Sequence, residues 1–407
     1  MPSFTAQPDT YVSAYRPIRF KFESDSTSDI VEKLVVEVYN ADGDELIATY
    51  RKDWTSRSGS DPYTYEFEFG IEGLIQDLLD PLPSRQAGVF AAPDALNGYA
   101  HNSSLWCYVK AQIEIRNTDN LLETSGSQIT SDTFYAFNIA RQHDEDPGLD
   151  DYVDSGVRKI LNDPPDVGID IRTNEAFWLC CILNQDIVRA RYTLYNKDGS
   201  SSSHNVSLSF PSASTNDNKK VVTVGVGPRT ANAYFTLDDT VRSYDVFLAD
   251  SSNNPLTETL TFNIVPKCPG KELRIHWLNS RGGADAYTFA GIRREEVEVK
   301  SSGAEKPLTW ITGDSSPHNR NQRGKFRTDV RRVDEFSVET MIIDESLARW
   351  VSGALESPEA YIETVGLDYY QPAIVADGKI GPANSELVGA ILKMVVSLAN
   401  EKVLLRN

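Results

Sequence analysis

Between Pro17 and Gln142 apolar and polar residues alternate in short runs, the period of a strand with one buried face. Ile18-Arg19-Phe20-Lys21-Phe22 and Lys33-Leu34-Val35-Val36-Glu37-Val38-Tyr39 show it most plainly. Asn40-Ala41-Asp42-Gly43-Asp44 then supplies an Asp-Gly turn, so a hairpin is expected into Leu46-Ile47-Ala48-Thr49-Tyr50. Tyr63-Thr64-Tyr65-Glu66-Phe67-Glu68-Phe69 sets four aromatics on one face and Thr64, Glu66 and Glu68 on the solvated one. Over residues 71–79 the apolar spacing changes to i, i+3, i+4, i+7, which predicts a short helix stopped by Asp80-Pro81. A long Pro-, Ala- and Gly-containing loop follows to Ser103, read either as an interaction arm or as local disorder. Strands around 106–116 and 134–140 close a first β-sandwich domain, residues 1–142.

Periodicity breaks at His143-Asp144-Glu145-Asp146-Pro147-Gly148-Leu149-Asp150-Asp151, so 143–168 reads as an acidic linker. The run lacks the residue order and terminal Glu of a calcium loop. Residues 169–266 hold seven short apolar segments, near 177–182, 190–195, 206–210, 221–226, 233–237, 244–249 and 257–264. That count and spacing predict an immunoglobulin-like or fibronectin-like sandwich. Lys197-Asp198-Gly199-Ser200 and the serines after it read as a turn. Val224-Gly225-Val226-Gly227 lacks the third glycine, the following helix and the Lys-Ser/Thr ending of a nucleotide loop, and reads as a strand-end turn.

A third region, 267–407, opens with a strand at Glu272-Leu273-Arg274-Ile275-His276-Trp277-Leu278-Asn279. Residues 299–332 read as a loop-rich stretch, and 344–355 as a helix with an acidic first turn, ending before Ser357-Pro358. Segments 361–365, 370–375 and 387–398 read as strands, with Asp377-Gly378-Lys379 as a turn. The last segment fits a helix too, but Val388, Ala390, Leu392, Met394, Val396 and Leu398 alternate, which favours a strand. The fold class is therefore mainly β: two β-sandwich modules followed by a C-terminal α+β domain.

Composition changes this picture in one respect. The chain of 407 residues carries a formal charge of −19, yet residues 1–155 hold 27 acidic against 11 basic residues, so the acidity sits at the front. Such a field repels nucleic acid. Residues 299–332 reverse the sign, with eight Lys/Arg against three acids. Arg281, Arg293, Arg294, Arg320, Arg323, Arg327, Arg331 and Arg332 dominate this part of the chain, and Arg suits bidentate pairing with carboxylates at interfaces. An acidic neighbouring copy is the first-ranked partner of Arg320, Arg323, Arg327, Arg331 and Arg332; DNA and plain solvation are the alternatives.

Little in the chain proposes chemistry. Cys107, Cys180, Cys181 and Cys268 lack C-x-x-C spacing and read as buried thiols. His101, His143, His204, His276 and His318 sit in separate contexts, and neither a nucleophile elbow nor a phosphate loop is present. No catalytic residue, cofactor or metal is expected. A carbohydrate- or receptor-binding module, with Trp54, Trp106, Tyr108 and Tyr99 as a sugar platform, is the second reading, and a glycan hydrolase the third. The N-terminus shows no secretory signal and no run reaches the ~18 apolar residues of a membrane span, so cytoplasmic synthesis is expected.

Cys268-Pro269-Gly270-Lys271-Glu272-Leu273-Arg274-Ile275-His276-Trp277-Leu278-Asn279-Ser280-Arg281-Gly282-Gly283-Ala284-Asp285-Ala286-Tyr287-Thr288-Phe289 resembles a signature of virion proteins from tailed phages and prophages of Bacteroidetes-type bacteria, Cys…Leu-x-(aromatic)-Leu-Asn-x-x-Gly-Gly-x-Asp-x-(aromatic)-x-Phe. Tyr15-Arg16-Pro17-Ile18 and Leu355-Glu356-Ser357-Pro358-Glu359-Ala360-Tyr361-Ile362 are similar to the same family, while Ala284 and Ala286 replace bulkier residues. The resemblance implies a tail, baseplate or neck component that forms homo-oligomers, joins other virion structural proteins and carries no catalytic residues. It implies a virion location after assembly in the host cytoplasm. In physical terms Gly282-Gly283 allows a tight turn, Asp285 is available to bond local amides, and Trp277 and Phe289 anchor a core around it.

Overall fold

The computed structural model describes residues 3–23, 30–39, 45–54, 67–79, 97–99, 104–116, 122–124, 128–139, 149–266 without 166, 184–185 and 211–219, 272–305 without 292, 325–363 without 342, 370–399 without 385–386, and 402–403. The Asp42-Gly43 turn, aromatics 63–66, most of the 80–103 loop, most of the 143–151 run, Arg320 and Arg323 lie outside them. The chain forms two compact units: Met1–Lys267 with Leu278–Ala286 and Val365–Tyr369, and Cys268–Trp277 with Tyr287–Thr364 and Tyr370–Asn407. The positions 142 and 169, where the hydrophobic periodicity breaks and resumes, both fall inside the first unit.

In the first unit, Ser3–Ala6, Arg19–Glu23 and Phe67–Gly70 make a three-stranded antiparallel sheet. A larger sheet runs in the order Tyr11–Ser13, Phe134–Phe137, Ser104–Arg116, Ile30–Tyr39, Leu46–Trp54. The alternation read at Ile18 and Phe20 has its expected result: both are buried, Arg19 is exposed, and they join Ala14, Val36, Val38, Phe134 and Ala136 in one core. The helix Glu72–Leu78 closes that core with Ile71, Ile75 and Leu79, the i, i+4, i+8 stripe of a helix facing a sheet.

The middle of the chain pairs Ile169–Ile171, Leu260–Ile264, Val241–Ala249, Arg189–Asn196 and Ser201–Ser207 in that order, the first pair parallel and the rest antiparallel. Trp178–Ile182 and Val221–Gly225 form a second sheet, completed by Asn97–Tyr99 from far upstream. The two sheets share a core: the Phe177 and Phe262 rings lie 5.1 Å apart, Tyr244 stacks on Phe262 at 4.9 Å, and the Tyr244 hydroxyl donates to the Val226 carbonyl at 3.0 Å.

Three local expectations change here. No strand forms at 233–237. Pro228, with its preset φ, starts the one-turn helix Pro228–Ala231, and the Ala233 and Tyr234 amides bond back to Thr230 and Ala231, so the chain coils and lays Phe235 on Tyr192. A helix therefore does follow Gly227, though a single turn. The serines after Gly199 are strand, not turn, because pairing with Arg189–Asn196 overrides their weak β propensity.

The last part of the chain forms a sheet ordered Ala284–Phe289, Leu273–Leu278, Ala360–Glu363, Tyr370–Asn384, Leu387–Leu398, Lys325–Glu339, Arg293–Glu305, with Lys402–Val403 also on Lys325–Glu339. Leu387–Leu398 is the strand that its alternation favoured, with Leu392, Met394 and Val396 buried. Asp377-Gly378-Lys379 is not a turn. It lies within Tyr370–Asn384, where the register shifts between Val375 and Asp377, and Gly378 leaves room for the Leu355 side chain. The basic stretch is not loop-rich at its described ends: Arg293–Glu305 and Lys325–Glu339 pair from Arg293↔Val338 to Glu305↔Lys325. Dense charge hides the strand period there, while main-chain pairing needs no particular side chain.

The helix Glu345–Glu356 buries Ala348, Trp350, Val351 and Ala354, and Trp350 lies 5.5 Å from Trp277. Its N-cap is Asp344, which accepts from the Leu347 amide at 2.7 Å. Asp344→Ala is expected to lower unfolding free energy by ~1 kcal/mol in urea titration, with Asp344→Ser near wild type.

Candidate functional site

A densely bonded polar site of the first unit is the turn that follows Leu273–Leu278 and leads into Ala284–Phe289. Asn279 shapes it: its Oδ1 accepts from the Arg281 amide at 2.9 Å and the Gly283 amide at 3.0 Å, and its own amide donates to the Gly283 carbonyl at 2.9 Å. Gly282 has φ +77°, in the left-handed region. A Cβ there would strike the Asn138 carbonyl oxygen, and one on Gly283 would sit 2.5 Å from the Leu161 carbonyl oxygen. Both glycines are needed because backbone from elsewhere in the chain passes against them.

Asp285 is fully buried and is reached by three donors. Asn279 Nδ2 lies 2.8 Å and the Asp163 amide 3.4 Å from Oδ2, and Asn162 Nδ2 lies 3.1 Å from Oδ1. Asn162, also fully buried, donates to the Trp178 and Ala284 carbonyls at 3.0 and 2.8 Å and accepts from the Cys180 amide at 2.7 Å. The Ala284 amide donates to Cys180 Sγ at 3.2 Å. Arg281 closes the outer side, 2.9 Å from Asp163 Oδ1, so this arginine is used within its own chain. Asp285 thus bonds the side chains of Asn162 and Asn279 and the main-chain amide of Asp163.

Burial explains the thiols. It pushes the Cys180 thiol well above the ordinary range, and that of Cys181 up to about 12 against the opposing pull of Arg158. Arg158 is itself buried, donates to the Ile182 and Leu183 carbonyls at 3.2 and 2.9 Å, and has its pKa lowered by burial. Among the described residues no group of three or more His, Cys, Asp or Glu is placed to hold a metal ion.

The second unit contains a buried ionic cluster that motif reading did not single out. Glu363 Oε2 lies 3.2 Å from Arg274 Nε and 2.8 Å from His276 Nε2, and Arg274 Nη1 donates to Thr288 Oγ1 at 2.8 Å. The signal was the placement of Arg274 and His276 two apart on one strand, with Arg274 registered opposite Glu363. The His276 ring also meets Tyr370 edge-on at 4.8 Å. Trp277 and Phe289 are buried.

Among the interface candidates, Arg327 pairs in register with Gly303, Arg331 with Lys300 and Arg332 with Val299, and Arg332 Nε lies 2.7 Å from Asp334 Oδ1. Arg293 and Arg294 lie at the other end of the same hairpin, opposite Val338 and Ser337. Arg320, Arg323, His101, His143, His318 and Cys268 fall outside the described residues. Trp54, Trp106, Tyr108 and Tyr99 lie on strands but are not brought together in one sheet row: Trp54 pairs with Glu32, Trp106 with Tyr39 and Tyr135, Tyr108 with Glu37 and Tyr99 with Val222.

Asp285→Ala is expected to cost about 2–5 kcal/mol of unfolding free energy, because the Asn162 and Asn279 amides lose their shared acceptor inside the core. Gly282→Ala, which forces a Cβ into the Asn138 carbonyl, should lower the melting temperature, whereas Gly199→Ala, strained but facing open space, should cost less. In native protein at pH 8, Cys180 and Cys181 should stay unlabelled by iodoacetamide over hours and react at once in urea, as peptide mass spectrometry would register.

No protein-family model matches the chain, and no curated protein matches it. Among solved structures, a chain of the virion of a native gene transfer agent particle superposes with 15% identity over 34% of this chain and 100% of its own, at a TM-score of 0.20. A chain from the tail of an empty gene transfer agent particle gives 15% identity over 33% of this chain and 96% of its own, also at 0.20. Squid arrestin gives 8% identity over 66% of this chain and 95% of its own, at 0.17. At those TM-scores the superpositions fix neither a fold nor a function for this chain.

Proposed function

We propose that this chain is a non-catalytic structural subunit of a tailed-phage virion, an oligomeric, ring-forming component of tail, baseplate or neck. The observation that carries the reading is the basic segment 299–332, whose described ends lie on a long antiparallel hairpin in a chain that is acidic at its front. A strand pair of 13 and 15 residues is a stiff carrier for charge, and its arginines suit planar pairing with carboxylates. Head-to-tail contact between the basic hairpin of one copy and the acidic front of the next is heterologous, and closes into a ring when the rotation per subunit divides the circle. The Cys…Gly-Gly-x-Asp signature supports the virion assignment, with other virion proteins as further partners. Among the described residues no helix is long and apolar enough to cross a membrane.

The same reading divides the chain into an acidic β-sandwich at 1–142, a linker at 143–168, an immunoglobulin-like sandwich at 169–266 and a C-terminal α+β assembly domain at 267–407. The shared core of the two middle sheets supports the third of these, and the helix Glu345–Glu356 on a sheet supports the fourth.

Light scattering on the purified chain is expected to show an oligomer whose mass falls as salt rises from ~0.1 to ~1 M, since the screening length contracts from ~10 to ~3 Å. Arg323→Glu, Arg327→Glu and Arg331→Glu should each lower that mass at low salt, and electron microscopy should show rings only for the wild type. A mass indifferent to both salt and these substitutions overturns the electrostatic contact, and a glycan-binding monomer overturns the virion reading.

A further inference from the structure

The strand Ser201–Ser207 ends its sheet, with Arg189–Asn196 on one side and no described strand on the other. The phase of its hydrogen bonding is set at both ends. The Leu208 amide donates to the Val188 carbonyl, and the Asn196 amide to the Ser200 carbonyl, so the even-numbered residues bond inward. Ser201, Ser203, Asn205 and Ser207 therefore turn their main-chain amides and carbonyls to the open edge, and all four are exposed.

Open edges invite pairing, and folded proteins blunt them with charge, bulges, proline or shortness. Five other edges among the described residues follow this rule, while the edges Trp178–Ile182 and Ala284–Phe289 are buried. Arg293–Glu305 is densely charged and bulged between Ser302 and Gly303, Leu46–Trp54 carries Arg51, Lys52 and Asp53, and Ser3–Ala6, Ile169–Ile171 and Asn97–Tyr99 have four residues or fewer. Ser201–Ser207 has none of these devices: seven residues without charge or proline, in unbroken register, inside an uncharged run from Gly199 to Phe210.

We infer that this edge pairs with the same edge of a second copy, antiparallel across a two-fold axis at His204. The axis sets Ser201 opposite Ser207 and Ser203 opposite Asn205, so every outward amide and carbonyl finds a partner. Two features favour a second copy over a different protein. An antiparallel edge is self-complementary about a two-fold axis. The chain carries a net charge of −19, and this neutral strip of small side chains lets two copies approach without opposing charge. The inference rests on strand geometry alone and not on the virion reading. Its contact is main-chain and uncharged, so high salt leaves it intact, which separates it from the hairpin contact proposed above.

Full-length protein in ~1 M salt, where charged contacts are screened, provides the test. Light scattering should give a dimer, and hydrogen exchange should show the Ser203 and Asn205 amides protected in proportion to dimer. Ser203→Pro removes an outward amide without touching an inward bond, and should give a monomer with an unchanged melting temperature. At low salt, Ser203→Glu with Asn205→Glu sets like charges directly opposite across the axis and should weaken self-association about tenfold. Mixing that variant at low salt with Ser203→Lys plus Asn205→Lys should restore a mixed dimer, an outcome available even if the proline variant fails to fold. Unprotected Ser203 and Asn205 amides at every concentration overturn the inference, as does a failure of the opposite-charge variants to pair.

Discussion

A buried carboxyl group must be met by donors, because removing it from water costs far more than any single hydrogen bond returns. Asp285 meets that requirement with two carboxamides and an amide drawn from positions more than one hundred residues apart along the chain, and the closure of the first compact unit follows from it. Asn162 must reach Asp285, which fixes segment 160–163 against the turn at Asn279. Asn162 also holds the Cys180 amide and the Trp178 carbonyl, which ties the same point to the strand Trp178–Ile182. The turn then passes so close to Asn138 and Leu161 that its two central positions have no space for a side chain. Each constraint comes from the one before it.

The second unit applies the same physics with charge. Glu363 is shared by Arg274 and His276 in a buried cluster, where removing one partner would leave the others uncompensated. Such clusters contribute less to net stability than to uniqueness of register, because a slip of one residue would turn Arg274 and His276 into the apolar face now occupied by Ile275 and Trp277. Both sites therefore consume their polar groups in holding strands and turns in place.

Much of the fold was legible from local pattern. The period of two at Ile18-Phe20-Phe22 and at 387–398 marks strands, and the helical spacing at 71–79 and 344–355 marks the helices Glu72–Leu78 and Glu345–Glu356. Side chains of a strand or helix read their own neighbourhood, so the signal lies within a few residues. The signal failed where pairing, not side-chain pattern, made the strand: in the serines of Ser201–Ser207 and the charged hairpin Arg293–Glu305 with Lys325–Glu339.

Gly282, Gly283 and Asp285 stand out through the resemblance to a virion-protein signature, and the glycine pair allows a tight turn, but nothing local announces what the turn packs against. Asn162 and Cys180 carry no motif, and Asn97–Tyr99 shows no sign that it will complete a sheet with Val221–Gly225. The sequence by itself determined the mainly β class of the fold, many of its strand and helix segments, the acidic front and the basic segment, all of which are written in neighbouring residues. Only the tertiary structure decided which distant donors reach Asp285 and Glu363, and which described strands end their sheets. Those outcomes depend on chain segments that meet after folding, and sequence separation erases the pattern that would have named them.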